Sequence, residues 1–113
     1  MSASLFSVFS RSGKEIRLSD KTWREKICIE HPEFVVNRQY PEEIRKTVND
    51  PDYIIKGWGG ELLALRWCEI APGTPKYLCV VYRELDDDGF VITSFFISRY
   101  GKLLKREIVW RKN

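Results

Sequence analysis

The chain opens on a strand-like pattern. In "SLFSVFS", residues 4–10, apolar side chains are interleaved with serines, as in a strand with one buried face. "RSGKE" supplies a turn, and "EIRL" reads as the returning partner strand. The period then lengthens. In "SDKTWREKICIEH", Trp23, Ile27 and His31 recur every four residues with Cys28 beside them, which places them on one face of a helix. Ser19 or Asp20 can cap its start. Pro32 disfavours helical geometry at the residue before it, so the helix is expected to end at His31. "YPEEIRKTVNDPD" reads as a second helix. Pro41 suits its first position, Glu42 and Glu43 complement the dipole, and Ile44, Thr47 and Val48 form the inward face before "NDPD" stops it.

From residue 52 onward the pattern is strands. "YIIKGW", "ELLALRWCEI", "YLCVVYREL" and "FVITSFFIS" are dense in β-formers and separated by "GG", "APGTPK" and "DDDG"; "REIVW" adds a short edge strand. Short connections favour antiparallel pairing. The expected fold is α+β, with two N-terminal helices packed on one face of a four- to five-stranded antiparallel sheet. A single domain is expected over 1–113: an N-terminal strand or hairpin over 1–18, a helical part over 19–50 and the sheet over 52–110.

Composition narrows this picture only modestly. The 113 residues are 43% apolar, 31% charged and 13% aromatic, enough for one core. No run is long enough to span a membrane, and the start lacks the basic leader of a secretion signal, so the expected location is the cytoplasm with no membrane partner. Three cysteines, Cys28, Cys68 and Cys79, cannot all pair within one chain and read as reduced thiols. With one histidine and no adjacent cysteines, no metal site is expected. The net charge of +3 mildly favours a polyanion, and the tail "YGKLLKREIVWRKN" concentrates Lys102, Lys105, Arg106, Arg111 and Lys112 against Glu107.

Strand alternation assigns the polar residues to faces. Arg66 shares a face with Ala64 and Cys68; Thr93 is expected beside Val91 and Phe95, and Ser94 beside Ile92 and Phe96; Tyr82 and Arg83 point opposite ways. Arg66 needs a carboxylate, a backbone acceptor or a bound anion, and a salt bridge and an anion site satisfy it equally. His31 has two readings: a cation at the negative end of a helix, or a proton carrier, since histidine ordinarily titrates near neutrality. Trp58 in "KGWGG" either covers one end of the core or stacks a base.

The motifs have an order: "EHPEF", "EEIRKTVNDPDYI", "LRW", "LCVVYRE", "DGFVITSFF". Over roughly residues 16–110 this order resembles the phage- and toxin-associated relatives of the barnase, EndoU, colicin and RelE ribonuclease superfamily. The resemblance implies metal-independent RNA cleavage, without a cofactor: a base deprotonates a ribose 2′-OH, which attacks the adjacent phosphorus while an acid protonates the leaving oxygen. It implies His31 as base or acid, Arg66 as phosphate holder, and Thr93 with Ser94 as hydroxyl donors to a phosphoryl oxygen. Arg83, Tyr82 and Lys76 would be phosphate or base contacts; Trp58, in its base-stacking reading, would join them as a substrate-binding residue. Its partners would be RNA and a protein inhibitor of the antitoxin or immunity type. Phe95 stands where the family usually has tyrosine. Two other functions fit the same sequence. One is a non-catalytic module that binds RNA or protein through Trp58, Trp67, Arg83, Arg99 and Tyr100; the other is a domain that uses an exposed sheet edge. Catalysis requires His31, Arg66 and Thr93 to converge on one cleft.

Overall fold

Ser19 does cap the first helix: its hydroxyl accepts from the Thr22 N–H at 3.0 Å. In the computed structural model, which describes residues 3–112, the chain from Asp20 to Glu30 is one helical run. It comprises α1 (Asp20–Thr22), a π segment (Trp23–Ile27) and α2 (Cys28–Glu30). Residues 1, 2 and 113 of the expected domain lie outside the described residues. The helix stops one residue earlier than expected. His31 takes φ −133° and ψ 77°, outside the helical region that a following proline disfavours, and a 3-10 turn (Pro32–Val36) follows. α3 (Tyr40–Asn49) starts with Pro41 in its first turn and buries Tyr40, Ile44, Thr47 and Val48.

The strands are β1 (Ser4–Phe9), β2 (Glu15–Ser19), β3 (Tyr53–Lys56), β4 (Leu62–Cys68), β5 (Lys76–Glu84), β6 (Asp88–Ile97) and β7 (Ile108–Arg111). They form one sheet in the order β1-β2-β6-β5-β4-β3-β7. The fold is α+β, but the sheet has seven strands and is mixed, where four to five antiparallel strands are expected from sequence. The N-terminal hairpin does not stand apart. β2 joins β6 in parallel over three registers, Glu15–Asp88, Ile16–Gly89 and Arg17–Phe90. Gly89 permits this join: a Cβ there would strike the Arg83 carbonyl and the Ile16 side chain. Two short helical pieces were also not expected, the 3-10 turn and α4 (Gly101–Leu104).

Two layers of core lie on the two faces of the sheet. On the helix side, Ile16, Leu18, Leu78, Val80 and Tyr82 pack under Ile27, Phe34, Ile44 and Val48. On the outer side, Ile55, Leu63, Leu65 and Cys79 are covered by Leu103 and Leu104 of α4. The sheet curls round α3 until its two ends approach each other. The Arg11 guanidinium, in the β1–β2 turn, lies 4.6 Å from the ring centroid of Trp110 in β7. The Asn49 side chain at the end of α3 donates to the Phe9 carbonyl at 2.9 Å.

Register corrects one expectation about faces. Val81 pairs with Thr93, but Tyr82 pairs with Val91, so Ile92 is an extra residue, a β-bulge. The bulge resets the alternation. Val91 packs in the helix-side core, while Thr93, opposite Val81, belongs to the outer face.

Phe34 ties the helical run to the sheet. It is fully buried, stacks on Phe96 at 4.9 Å and meets Trp23 and Tyr40 edge-on at 5.8 Å each. Truncating such a side chain loses its transfer energy and leaves a cavity, so Phe34→Ala is expected to lower unfolding free energy by about 3–5 kcal/mol. Urea denaturation followed by circular dichroism reads this as a lower midpoint at unchanged slope.

Candidate nucleic-acid interface

The β3–β4 turn carries the most exposed large aromatic side chain of the described residues. Trp58 is 75% exposed. It therefore does not cover an end of the core, one of the two readings its sequence context allowed. The loop that holds it is well ordered by hydrogen bonds. A Glu61 carboxylate oxygen accepts from the Trp58 N–H at 2.7 Å, and both oxygens lie 3.1 Å from the Gly59 N–H. Arg83 donates to the Gly59 carbonyl at 2.8 Å and pairs with Glu61 at 3.5 Å. Gly60 has φ +90°, a conformation that L residues rarely adopt, and a Cβ on Gly57 would occupy the space of the Glu61 carboxylate. Arg106 lies over the indole, 3.6 Å from the ring centroid, and donates to the Lys56 carbonyl at 3.1 Å. The result is an indole held outward on a cross-braced loop, with Arg106 over its ring. The sequence marked Trp58 and Arg83. It gave no reason to single out Glu61, or Arg106 from the rest of the basic tail.

His31 sits elsewhere. Its half-buried ring lies 5.9 Å from Phe95 and 6.4 Å from Phe34, beside the stretch of β6 that β2 leaves unpaired. No hydrogen bond or ion pair of the imidazole is found among the described residues. Arg66 is on the helix side of β4, where it forms an ion pair with Glu43 of α3 at 3.4 Å; the two side chains are 29% and 12% exposed. Cys68, two residues on, donates its thiol to the same carboxylate oxygen at 3.4 Å. Burial, reinforced by that carboxylate, pushes the thiol pKa up to about 11. The contact path from His31 to Arg66 runs through Phe34 and Phe96, and then through Leu78, which pairs with both Phe96 and Arg66.

The hydroxyl residues do not join them. Thr93 faces the outer side of the sheet, opposite to Arg66, and its Oγ1 is covered and has no hydrogen-bond partner. Ser94 is fully buried and donates to the Cys79 carbonyl at 2.8 Å. His31, Arg66 and Thr93 therefore lie at a strand edge and on two opposite faces, and do not line a common cleft. Lys76, at the start of β5, is half-buried and turns back to the Pro72 carbonyl. Tyr82 is 1% exposed, its ring packed in the core while its side chain lines a cleft beside the β1–β2 turn. Among the described residues no cluster of three or more His, Cys, Asp or Glu side chains could hold a metal, and no helix is long and apolar enough to cross a membrane.

The Glu61 carboxylate is held below its ordinary range by the backbone N–H groups of Glu61 itself, Gly59 and Trp58, with Arg83 nearby. A folded-state pKa below the unfolded one contributes stability that is complete above the ordinary glutamate value and lost as pH falls through the depressed value. The Trp58 and Gly59 amide resonances are expected to hold constant down to pH 4.5 and to shift only below it, with a midpoint absent in Glu61→Gln; NMR titration checks this. No protein-family model, curated protein or solved structure matches this chain.

Proposed function

We propose that the chain is an RNA-binding domain on the ribonuclease-superfamily frame that its motif order resembles, and that it grips single-stranded RNA at the β3–β4 loop. The observation that carries this reading is the exposed Trp58, with Arg106 over its ring, on a loop that Glu61 and Arg83 brace. Leaving an indole in water forgoes a large burial energy, whereas a base can recover it by stacking. Arg106 brings positive charge for the phosphate backbone to the indole, and a base can also stack on its guanidinium plane.

RNA cleavage at His31 is the second reading. One observation favours it: the imidazole stands at an open strand edge with no hydrogen-bond partner among the described residues. In that reading His31 moves the proton and the phosphate-holding cation is some group other than Arg66, whose guanidinium is engaged by Glu43. An inhibitor protein belongs to this reading alone.

A single set of experiments separates the two. Fluorescently labelled single-stranded and duplex RNAs are incubated with the protein in EDTA, and both affinity and chain length are measured. The binding reading expects intact RNA, a preference for single strands, and a loss in Trp58→Ala of about one to two orders of magnitude in affinity, the worth of one stacked base. It also expects affinity to fall with added salt. Affinity unaffected by Trp58→Ala would overturn it. Cleavage in EDTA that His31→Ala abolishes would establish the second reading instead.

A further inference from the structure

Where the two ends of the curled sheet approach each other, a cleft of about 230 Å³ remains between the β1–β2 turn and β7. Arg11 and Trp110 line it, with the guanidinium 4.6 Å from the indole ring centroid. Leu62 gives it an apolar wall, and Tyr82 and Glu84 of β5 bring polar atoms to it. The Tyr82 side chain is buried to within 1%, yet no hydrogen bond of its hydroxyl is found among the described residues. The Glu84 carboxylate is fixed by one oxygen, Oε2, which accepts from the hydroxyls of Ser10 and Ser12. No partner of its other oxygen is found among the described residues. A mostly apolar cleft lined by an indole, a guanidinium, a phenol and a carboxylate matches a planar heterocycle that carries N–H donors.

We propose that this cleft binds a nucleobase, stacked against Trp110 and Arg11, with an N–H of the base donating to Glu84 Oε1 and the Tyr82 hydroxyl bonding a second ring-edge atom. The site takes one base. It deepens the RNA-binding reading and rests on it for its natural source, a base of a strand. Tyr82 and Glu84 flank Arg83, whose guanidinium braces the Trp58 loop, so the two base sites lie at the same end of the sheet. The outward-facing indole takes any base, whereas the cleft, with fixed acceptors, discriminates among bases by their N–H pattern.

The test is a titration of the whole chain with the four ribonucleosides and with ribose 5-phosphate as the base-free control. It is followed through the Trp110 indole N–H resonance. The expected result is a saturable shift with nucleosides, of unequal affinity among the four, and none with ribose 5-phosphate. Tyr82→Phe keeps the buried ring and is expected to weaken binding by about threefold to tenfold, the worth of one hydrogen bond. Glu84→Gln is expected to change the ranking of the nucleosides. A short single-stranded oligoribonucleotide that displaces the nucleoside assigns the source to a strand; failure to displace assigns it to free nucleosides. An unsaturable response, an equal response to ribose 5-phosphate, or affinity unchanged in Tyr82→Phe overturns the proposal. If nucleosides fail while RNA binding still depends on Trp58, only the cleft is lost. If nucleosides bind while Trp58→Ala leaves RNA affinity unchanged, only the reading of the β3–β4 loop is lost.

Discussion

The three-residue parallel join of β2 to β6 is the constraint on which the rest of the molecule depends. It attaches the N-terminal hairpin to a sheet that the remaining strands could otherwise complete alone. It also ends early. Past Phe90 the two strands part, because β2 must lead into the helical run at Asp20. That run and the 3-10 turn after it then lie along the vacated side of β6 and deliver Trp23, Ile27 and Phe34 to the helix-side core. Extending the sheet by β1 and β2 on one side and β7 on the other makes it wide enough to coil round α3. Accumulated strand twist brings its ends together, with the cleft as the remaining gap.

The cost of this arrangement falls on the sequence at a few positions. Gly89 is needed where β2, β5 and β6 crowd together. Glu43 must answer Arg66 between α3 and β4, because a guanidinium on the packed side of a sheet is expensive without a carboxylate. The same carboxylate oxygen receives the Cys68 thiol, so one acidic side chain satisfies two donors on β4. This is a stabilising role for Arg66, one of the two roles its flanking residues allowed.

Most elements were legible in the sequence because their signals are local. Pro41, the "NDPD" stop, the glycine turns and the β-rich runs mark α3 and β3 to β7 within a residue or two. What was not legible depends on contacts between distant segments. Nothing near Glu15 announces a parallel partner 73 residues later. The bulge at Ile92 has no glycine or proline to signal it, and it alone moves Thr93 off the face that alternation assigned. For the candidate site, local pattern found Trp58 and Arg83 but not the residues that organise them, since Glu61 and Arg106 are ordinary charges until the turn and the tail meet. Tyr82 was legible as a chemical group and not as a location.

The bulge has a further consequence for how this chain tolerates changes in length. Tyr82 and Val81 are adjacent, yet their partners Val91 and Thr93 are not, so β6 carries one spare residue. Deleting Ile92 would close the ladder and leave every later side chain on the side it already occupies. Deleting Ser94 or Phe95 would instead draw the spare residue along, turning over only the side chains between Ile92 and the deletion and leaving the later ones in place. The strand thus holds slack at one point, and it can absorb a single lost residue by sliding rather than by unpacking the aromatic stack above it.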